Sequence, residues 1–348
     1  MTILQPAHPA HGGDRPGLPK RLPGARGPIT EQLLGDLGRR PHEMGPLPLG
    51  ADPDPLHDDD AALALYLCYE QHYLGLPGVD ERWEWNPSLL RERHRLEQAF
   101  EDQLIDLVGP PPVALRRADV KGELTRLSTD SSGPSLSGYM ERSGTVDQLR
   151  EFAVHRSAYQ LKEADPHTWA IPRLTGRAKA ALVEIQRGEY GDGVVEDVHA
   201  NLFAAVLQEL RLDASYGAYV DRLPAVTLAT CNLVSMFGLH RRWRGALIGH
   251  LALFEMCSVG PMGRYANAVR RLGHGDPAAR FYEAHVLADE RHQVVALDEM
   301  VDGLVRQEPF IGGDVVFGAR ALAAVERLFA ASLLDAWAAG RSSLRPPT

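Results

Sequence analysis

Apolar side chains recur with the spacing of an amphipathic α-helix along most of the chain from residue 58 onward. No stretch of useful length alternates apolar and polar residues as a half-buried strand would. Breaks in the pattern coincide with helix-ending residues, for example Gly109 and the three prolines behind it. The pattern therefore predicts an all-α fold. Its helices are expected at residues 89–108, 146–164, 177–190, 195–210, 224–233, 243–257 and 315–338, with further helices starting at the acids 58–60 and at Asp276.

Two regions interrupt this helical pattern. Residues 1–55 are rich in proline and glycine and hold few apolar positions that could form a face, which predicts a disordered, passive arm with at most a short helix at 31–38. Residues 128–143 are rich in serine and glycine and are expected to form a loop or an irregular crossover. We therefore expect one helical domain over residues 56–340, preceded by the arm.

Composition narrows the class of protein. The 348 residues are 44% hydrophobic and 24% charged, as in ordinary globular proteins. A net charge of −9 argues against binding to nucleic acid or anionic lipid, and three widely spaced cysteines indicate neither a disulfide framework nor a metal site. The apolar run at residues 246–260 is shorter than a bilayer-spanning helix, and no signal peptide is visible. A cytoplasmic protein without membrane partners is therefore expected.

The strongest candidate for chemistry is the segment His285-Val-Leu-Ala-Asp289-Glu-Arg-His292. Steps of four and three residues return to the same face of an α-helix, so these two imidazoles and one carboxylate project together. Such a set suits iron, manganese or zinc. A solvated polar stripe is the alternative.

Three further residues strengthen the metal hypothesis. Glu163 and Glu189 lie at the ends of predicted helices, and His199 lies near the start of another. Each alone could be a surface residue, a cap or a core hydrogen-bond partner. With the triplet they supply three carboxylates and three imidazoles, a set fit for two ferrous ions with open positions for O₂.

These motifs resemble the heme-oxygenase-like family of diiron oxidases and oxygenases, also described as iron-containing redox enzymes. The likeness rests on Lys162-Glu163-Ala-Asp-Pro-His167, on the ten-residue step from Glu189 to His199, and on the final HxxxDxxH helix. It covers approximately residues 58–309, and the sequence particularly resembles the diiron domain of nitrosourea-forming N-oxygenases. The resemblance implies a bundle of about seven core helices and metal-ligand roles for Glu163, Glu189, His199, His285, Asp289 and His292.

The resemblance also implies a function. Two Fe(II) ions per chain and O₂ as co-substrate would oxidise a small organic substrate, with N-oxygenation of an amine placed first. Oxidative C–C cleavage or desaturation on the same site, or a non-catalytic metal- or heme-binding module, are the alternatives. No second catalytic domain is recognised, so a single oxidation is expected. An external electron donor and a homodimer remain open.

Glu255 is an acid inside a very apolar helix and needs a partner there. Two interpretations are open: a group next to the metal ligands that supports them or donates a proton, or an ion pair with an arginine such as Arg241 or Arg244.

Overall fold

The computed structural model describes residues 19, 21–113 and 115–347. Within these ranges the chain is all α and contains no strand, which confirms the predicted fold class. The helices, in chain order, are α1 Pro28–Leu37, α2 Asp59–Glu70, α3 Pro87–Val108, α4 Arg117–Ser128, α5 Leu136–Arg142, α6 Val146–Gln160, α7 Asp165–Thr168, α8 Gly176–Glu189, α9 His199–Glu209, α10 Ala225–Leu239, α11 Arg244–Arg271, α12 Asp276–Val294, α13 Asp302–Gln307 and α14 Gly312–Ala338.

Helix ends follow the local chemistry of the sequence. The Asp58 carboxylate accepts hydrogen bonds from the first backbone N–H groups of α2, as its place before an apolar run predicts. Thr145 and Gln148 form a reciprocal capping box at the start of α6. Gly109 ends α3 with a φ of 79°, a conformation that glycine adopts without strain.

Helix α12 does not stop at Val294 but continues into a π-helix, Val295–Val301, and then into α13. A π-turn holds more residues than an α-turn, so it changes which side chains face a neighbouring helix. Both the π-helix and α13 pack against α8. The irregular turn and the helix that follows it therefore share a packing partner.

Helix α11 is the centre of the bundle and packs against α12, α14, α5 and α10. It crosses α14 at very short range, because a Cβ built on Gly249 would lie 1.8 Å from the Val315 carbonyl oxygen and one on Gly318 would lie 2.0 Å from that of Ala246. Only glycine permits backbones to approach so closely. These glycines fix the position of the central helix.

One helix in the described ranges, Arg241–Arg271 with its preceding turn included, is long and apolar enough to cross a membrane by length and composition. This helix extends beyond the apolar run at residues 246–260 on which the sequence argument rested. About 56% of its apolar window is buried in the bundle, which accounts for its composition without a bilayer.

The expectation of a disordered arm is wrong for residues 21–55. Helix α1, close to the short helix expected there, buries Leu33 and Leu37 completely in the main core. Its first N–H groups, those of Ile29 and Thr30, donate to the carboxylate of Asp60 on α2. The few apolar side chains of this segment are spaced so that they pack against a neighbouring helix. The proline-rich composition made this spacing hard to recognise in the sequence. The rest of the arm, residues 1–18 and 20, lies outside the described residues.

The loop expected at 128–143 is also partly wrong. Ser135 caps α5 by accepting from the Gly138 N–H, and α5 packs against α11. Met140 on this helix is fully buried. A seven-residue helix is too short to show a clear apolar period, so its tertiary contacts rather than its own sequence pattern stabilise it.

We expect Gly249→Ala to destabilise the protein by about 1–3 kcal/mol, because the added methyl must push α14 away from α11. Gly263→Ala on the same helix is the matched control. Its Cβ would meet nothing closer than Val286 Cγ2 at 3.9 Å, so the change should stabilise by about 0.5–1 kcal/mol through helix propensity. Urea unfolding measures both free energies, and equal losses in the two variants would contradict the close-approach argument.

Candidate metal centre

Helix α12 presents His285, Asp289 and His292 on one buried face, with 4%, 2% and 6% of their surfaces exposed. The helical period predicted that these side chains project together. Because these side chains are buried, the alternative of a solvated polar stripe is excluded. Buried polar groups need partners, which the rest of the cluster supplies.

The other predicted residues come from ends of helices. Glu163 follows the last turn of α6, Glu189 ends α8 and His199 begins α9. A tight turn joins the last two, and Gly191 adopts a φ of +64° in it; a Cβ there would lie 2.5 Å from the Val198 nitrogen. This glycine lets a ten-residue segment double back, so that Glu189 and His199 meet with His199 Nδ1 2.8 Å from Glu189 Oε2.

The structure brings all six predicted side chains together, in two groups whose potential ligand atoms lie within 4.8 Å of one another. One group is Glu163, Glu189, His199 and His285, and the other is Glu189, Glu255, Asp289 and His292. Glu189 belongs to both. Its two oxygens reach toward opposite sides, which is the arrangement a bridging carboxylate requires. The ligand roles themselves stay a prediction.

Glu255 is the acid for which the sequence left two interpretations open. It extends from the middle of α11 and lies 3.4 Å from His292 Nδ1, inside the second group. The ion pair considered with Arg244 is wrong, because Arg244 pairs with Glu308. An acid in an apolar helix was the available signal, and only the crossing of α11 and α12 shows where it points.

Buried polar atoms test whether this cluster fits a metal. Glu189 Oε2 lies 2.8 Å from His199 Nδ1, and Asp289 Oδ1 lies 3.6 Å from His292 Nδ1. Apart from such contacts inside the cluster, these four buried atoms have no hydrogen-bond partner in the described residues. Buried polar atoms that meet only other potential metal ligands fit coordination to cations.

Supporting contacts orient two of the candidate ligands. His285 Nδ1 lies 2.8 Å from the Phe281 carbonyl oxygen, so this nitrogen carries the proton and Nε2 faces the cluster. The imidazole of His292 sits against Gly188, where a Cβ would lie 2.9 Å from His292 Cε1. Because residue 188 is a glycine, the imidazole ring has room to lie against the backbone there.

Electrostatics at the two α12 histidines is dominated by carboxylates. Burial alone lowers the pKa of His285, yet Glu163 and the carboxylates behind it raise it to about 10. The pKa of His292 likewise reaches about 10, because Asp289 and Glu255 outweigh the effect of burial. Without a cation, these imidazoles hold protons that neutralise the carboxylates around them.

The two central glutamates shift in opposite directions. Burial disfavours the Glu189 carboxylate, but His199 and the other imidazoles lower its pKa to about 2. Burial raises the pKa of Glu255 well above its ordinary value, and the charges of Asp289 and Glu189 add to this. A carboxyl group that resists ionisation among other carboxylates is ready to ionise next to a cation.

In metal-free protein, the raised pKa values predict a pH dependence of stability. The charged imidazoles of His285 and His292 contribute stability that is fully present below 6.5, the ordinary pKa of histidine, and is lost as pH rises through about 10. We expect the free energy of unfolding, measured in urea with a chelator present, to fall between these pH values. The double variant His285→Gln/His292→Gln should be flatter over this interval. Parallel losses in both proteins would contradict the assignment.

Comparison with known proteins agrees with this geometry. Residues 150–327, just over half of the chain, match a family described as iron-containing redox enzyme. The matched segment contains all seven residues of the cluster. No curated protein matches the sequence. The chain belongs to the heme-oxygenase-like family of iron-containing redox enzymes.

Proposed function

We propose that the chain is a non-heme diiron oxygenase that uses O₂ to oxidise a small organic substrate. The observation that supports this most directly is the pair of four-residue groups that share Glu189. One metal ion needs only one such group, whereas two groups joined by a carboxylate suit a dinuclear site. When bound, two ferrous ions supply the redox chemistry of O₂ activation.

The charge of the clustered side chains supports two metal ions per chain. Four carboxylates line the cluster, from Glu163, Glu189, Glu255 and Asp289, while the three imidazoles are neutral when they act as ligands. Two divalent cations match these four negative charges. Inclusion of Glu255 makes this balance complete, because the six residues predicted from sequence supply only three carboxylates.

The chain itself positions the ligands and excludes water. Tyr159 stacks on Phe254 with ring centroids 5.5 Å apart, and both border a cavity of about 30 Å³ beside the cluster. Leu251 and Met262 complete this side. A mostly apolar surround strengthens electrostatic interactions and keeps bulk water from the site. His285 Nδ1–H donates to the Phe281 carbonyl oxygen, which leaves Nε2 facing the cluster.

Heme binding fits this site poorly. A cavity of about 30 Å³ next to the ligand atoms is far smaller than a porphyrin needs, and heme requires one or two axial ligands rather than seven clustered polar groups.

N-oxygenation of an amine is our first choice of reaction, because the motif set is most similar to that of the N-oxygenases. C–C cleavage or desaturation would use the same residues and would differ in the product.

The test is anaerobic loading with Fe(II), iron counting, and oxygen uptake with a panel of amines and carboxylic acids. Wild-type protein should hold about two irons per chain, as a dinuclear site requires. Hydroxylated or otherwise oxygenated nitrogen in the products supports N-oxygenation, while an alkene or a shortened carbon chain supports the alternatives. A Soret band on heme addition without iron uptake would overturn the proposal.

Single-site variants test the shared ligand. Asp289→Ala or His292→Ala should lower the iron content to about one per chain, because each removes a ligand of one group only. Glu189→Ala should lose both irons. The control is Glu290→Ala, an exposed acid next to Asp289 that should keep about two. Circular dichroism checks that each variant remains folded. Unchanged iron content in Glu189→Ala would refute the bridging role.

A further inference from the structure

A second, larger cavity of about 480 Å³ adjoins the metal centre. It shares Phe254, Ser258 and Met262 with the small cavity that contacts the cluster carboxylates. Its volume lies within the range of sites that bind small organic molecules. Because the two cavities share these three side chains, the larger one is the candidate substrate cavity beside the metal centre.

The body of this cavity is aromatic. Its walls include Phe152, Phe203, Tyr265, Phe281 and Tyr282, and the rings of Phe152 and Tyr265 stack with centroids 4.7 Å apart. Aromatic walls of this kind bury apolar surface and stack on rings. They favour a ligand whose body is a ring or an alkyl chain rather than a sugar or a nucleotide.

One of the three arginines on the walls of this cavity has no carboxylate partner among the described residues. The two acids, Glu326 and Asp130, pair with Arg156 and Arg327, respectively. The third arginine, Arg264, donates from Nε to Ser137 Oγ at 2.9 Å, and in the described part of the chain no carboxylate lies within ion-pairing distance of it. A half-buried guanidinium with free N–H groups beside apolar walls is suited to bind a carboxylate in a two-point contact.

Arg264 and Glu255 lie on different faces of α11. Arg264 follows Glu255 by nine residues, about two and a half turns, so the two side chains leave the helix on opposite sides. The part of the larger cavity nearest the cluster is therefore the wall that it shares with the small cavity, at Phe254, Ser258 and Met262.

We propose that this cavity binds a small organic acid with an aromatic or alkyl body, held by its carboxylate at Arg264 and with its body along the aromatic walls. The assignment of this acid as the substrate rests on the proposed oxygenase function. It narrows the substrate class to organic acids with an apolar body.

The experiment compares phenylhexanoate with phenylhexanol, two probes that share a body and differ in charge. Isothermal titration calorimetry of the full-length iron-loaded protein should show at least about tenfold tighter binding of the acid, the effect typical of a charge-assisted hydrogen bond. This wild-type comparison needs no variant. Equal affinities for acid and alcohol would overturn the proposal.

Variants locate the carboxylate. Arg264→Met should remove the preference for the acid and leave alcohol binding nearly unchanged. Arg270→Met is the matched control on α11, since Arg270 pairs with Glu283 outside the cavity, and should keep the preference. Ala323→Trp fills the far wall and should weaken both probes together. An acid preference that persists in Arg264→Met would refute the role of this arginine.

Iron content and oxygen uptake are measured on the same samples to separate the two proposals. Acid selectivity that depends on Arg264 in a protein that takes up no iron would count against the oxygenase function and leave the anion site standing. Two irons per chain without acid selectivity would count against the anion site alone.

Discussion

The structure depends on how four clustered carboxylates, three of them buried and that of Glu163 partly buried, are neutralised. Glu189 lies at the centre, where its oxygens approach imidazoles from two directions. Like charges at this distance in a low-dielectric interior repel strongly unless protons or cations intervene. The imidazoles can supply protons, and cations would replace them. The helices that contribute these groups are held together by packing outside the cluster.

That packing comes mainly from α11. Close contact with α14, permitted by Gly249 and Gly318, fixes one side of this helix, and α12 packs on another. The same helix carries Glu255 to the cluster and Arg264 to the wall of the larger cavity. A shift of α11 would move both. The rigid crossing therefore links the geometry of the cluster to that of the neighbouring cavity.

Sequence patterns predicted the helices well where apolar spacing runs over several turns, as in α3, α8 and α12. They failed for residues 21–55 and for α5, because short segments take their order from neighbours such as Asp60 and α11 that no local pattern reveals. At the site, helical period placed His285, Asp289 and His292 on one face. Resemblance and residue type suggested Glu163, Glu189 and His199. The place of Glu255 depends on a crossing of two helices, which sequence spacing does not encode.

The π-helix after α12 lies between two parts of one continuous helical segment that must meet different packing requirements. Before Val295, the rotation of α12 must direct three side chains into the cluster. After it, α13 must pack its apolar side against α8. An uninterrupted α-helix would tie both orientations to one period. Because the π-turn separates the rotation of α13 from that of α12, substitutions that repack α13 on α8 need not rotate the histidines away from the cluster.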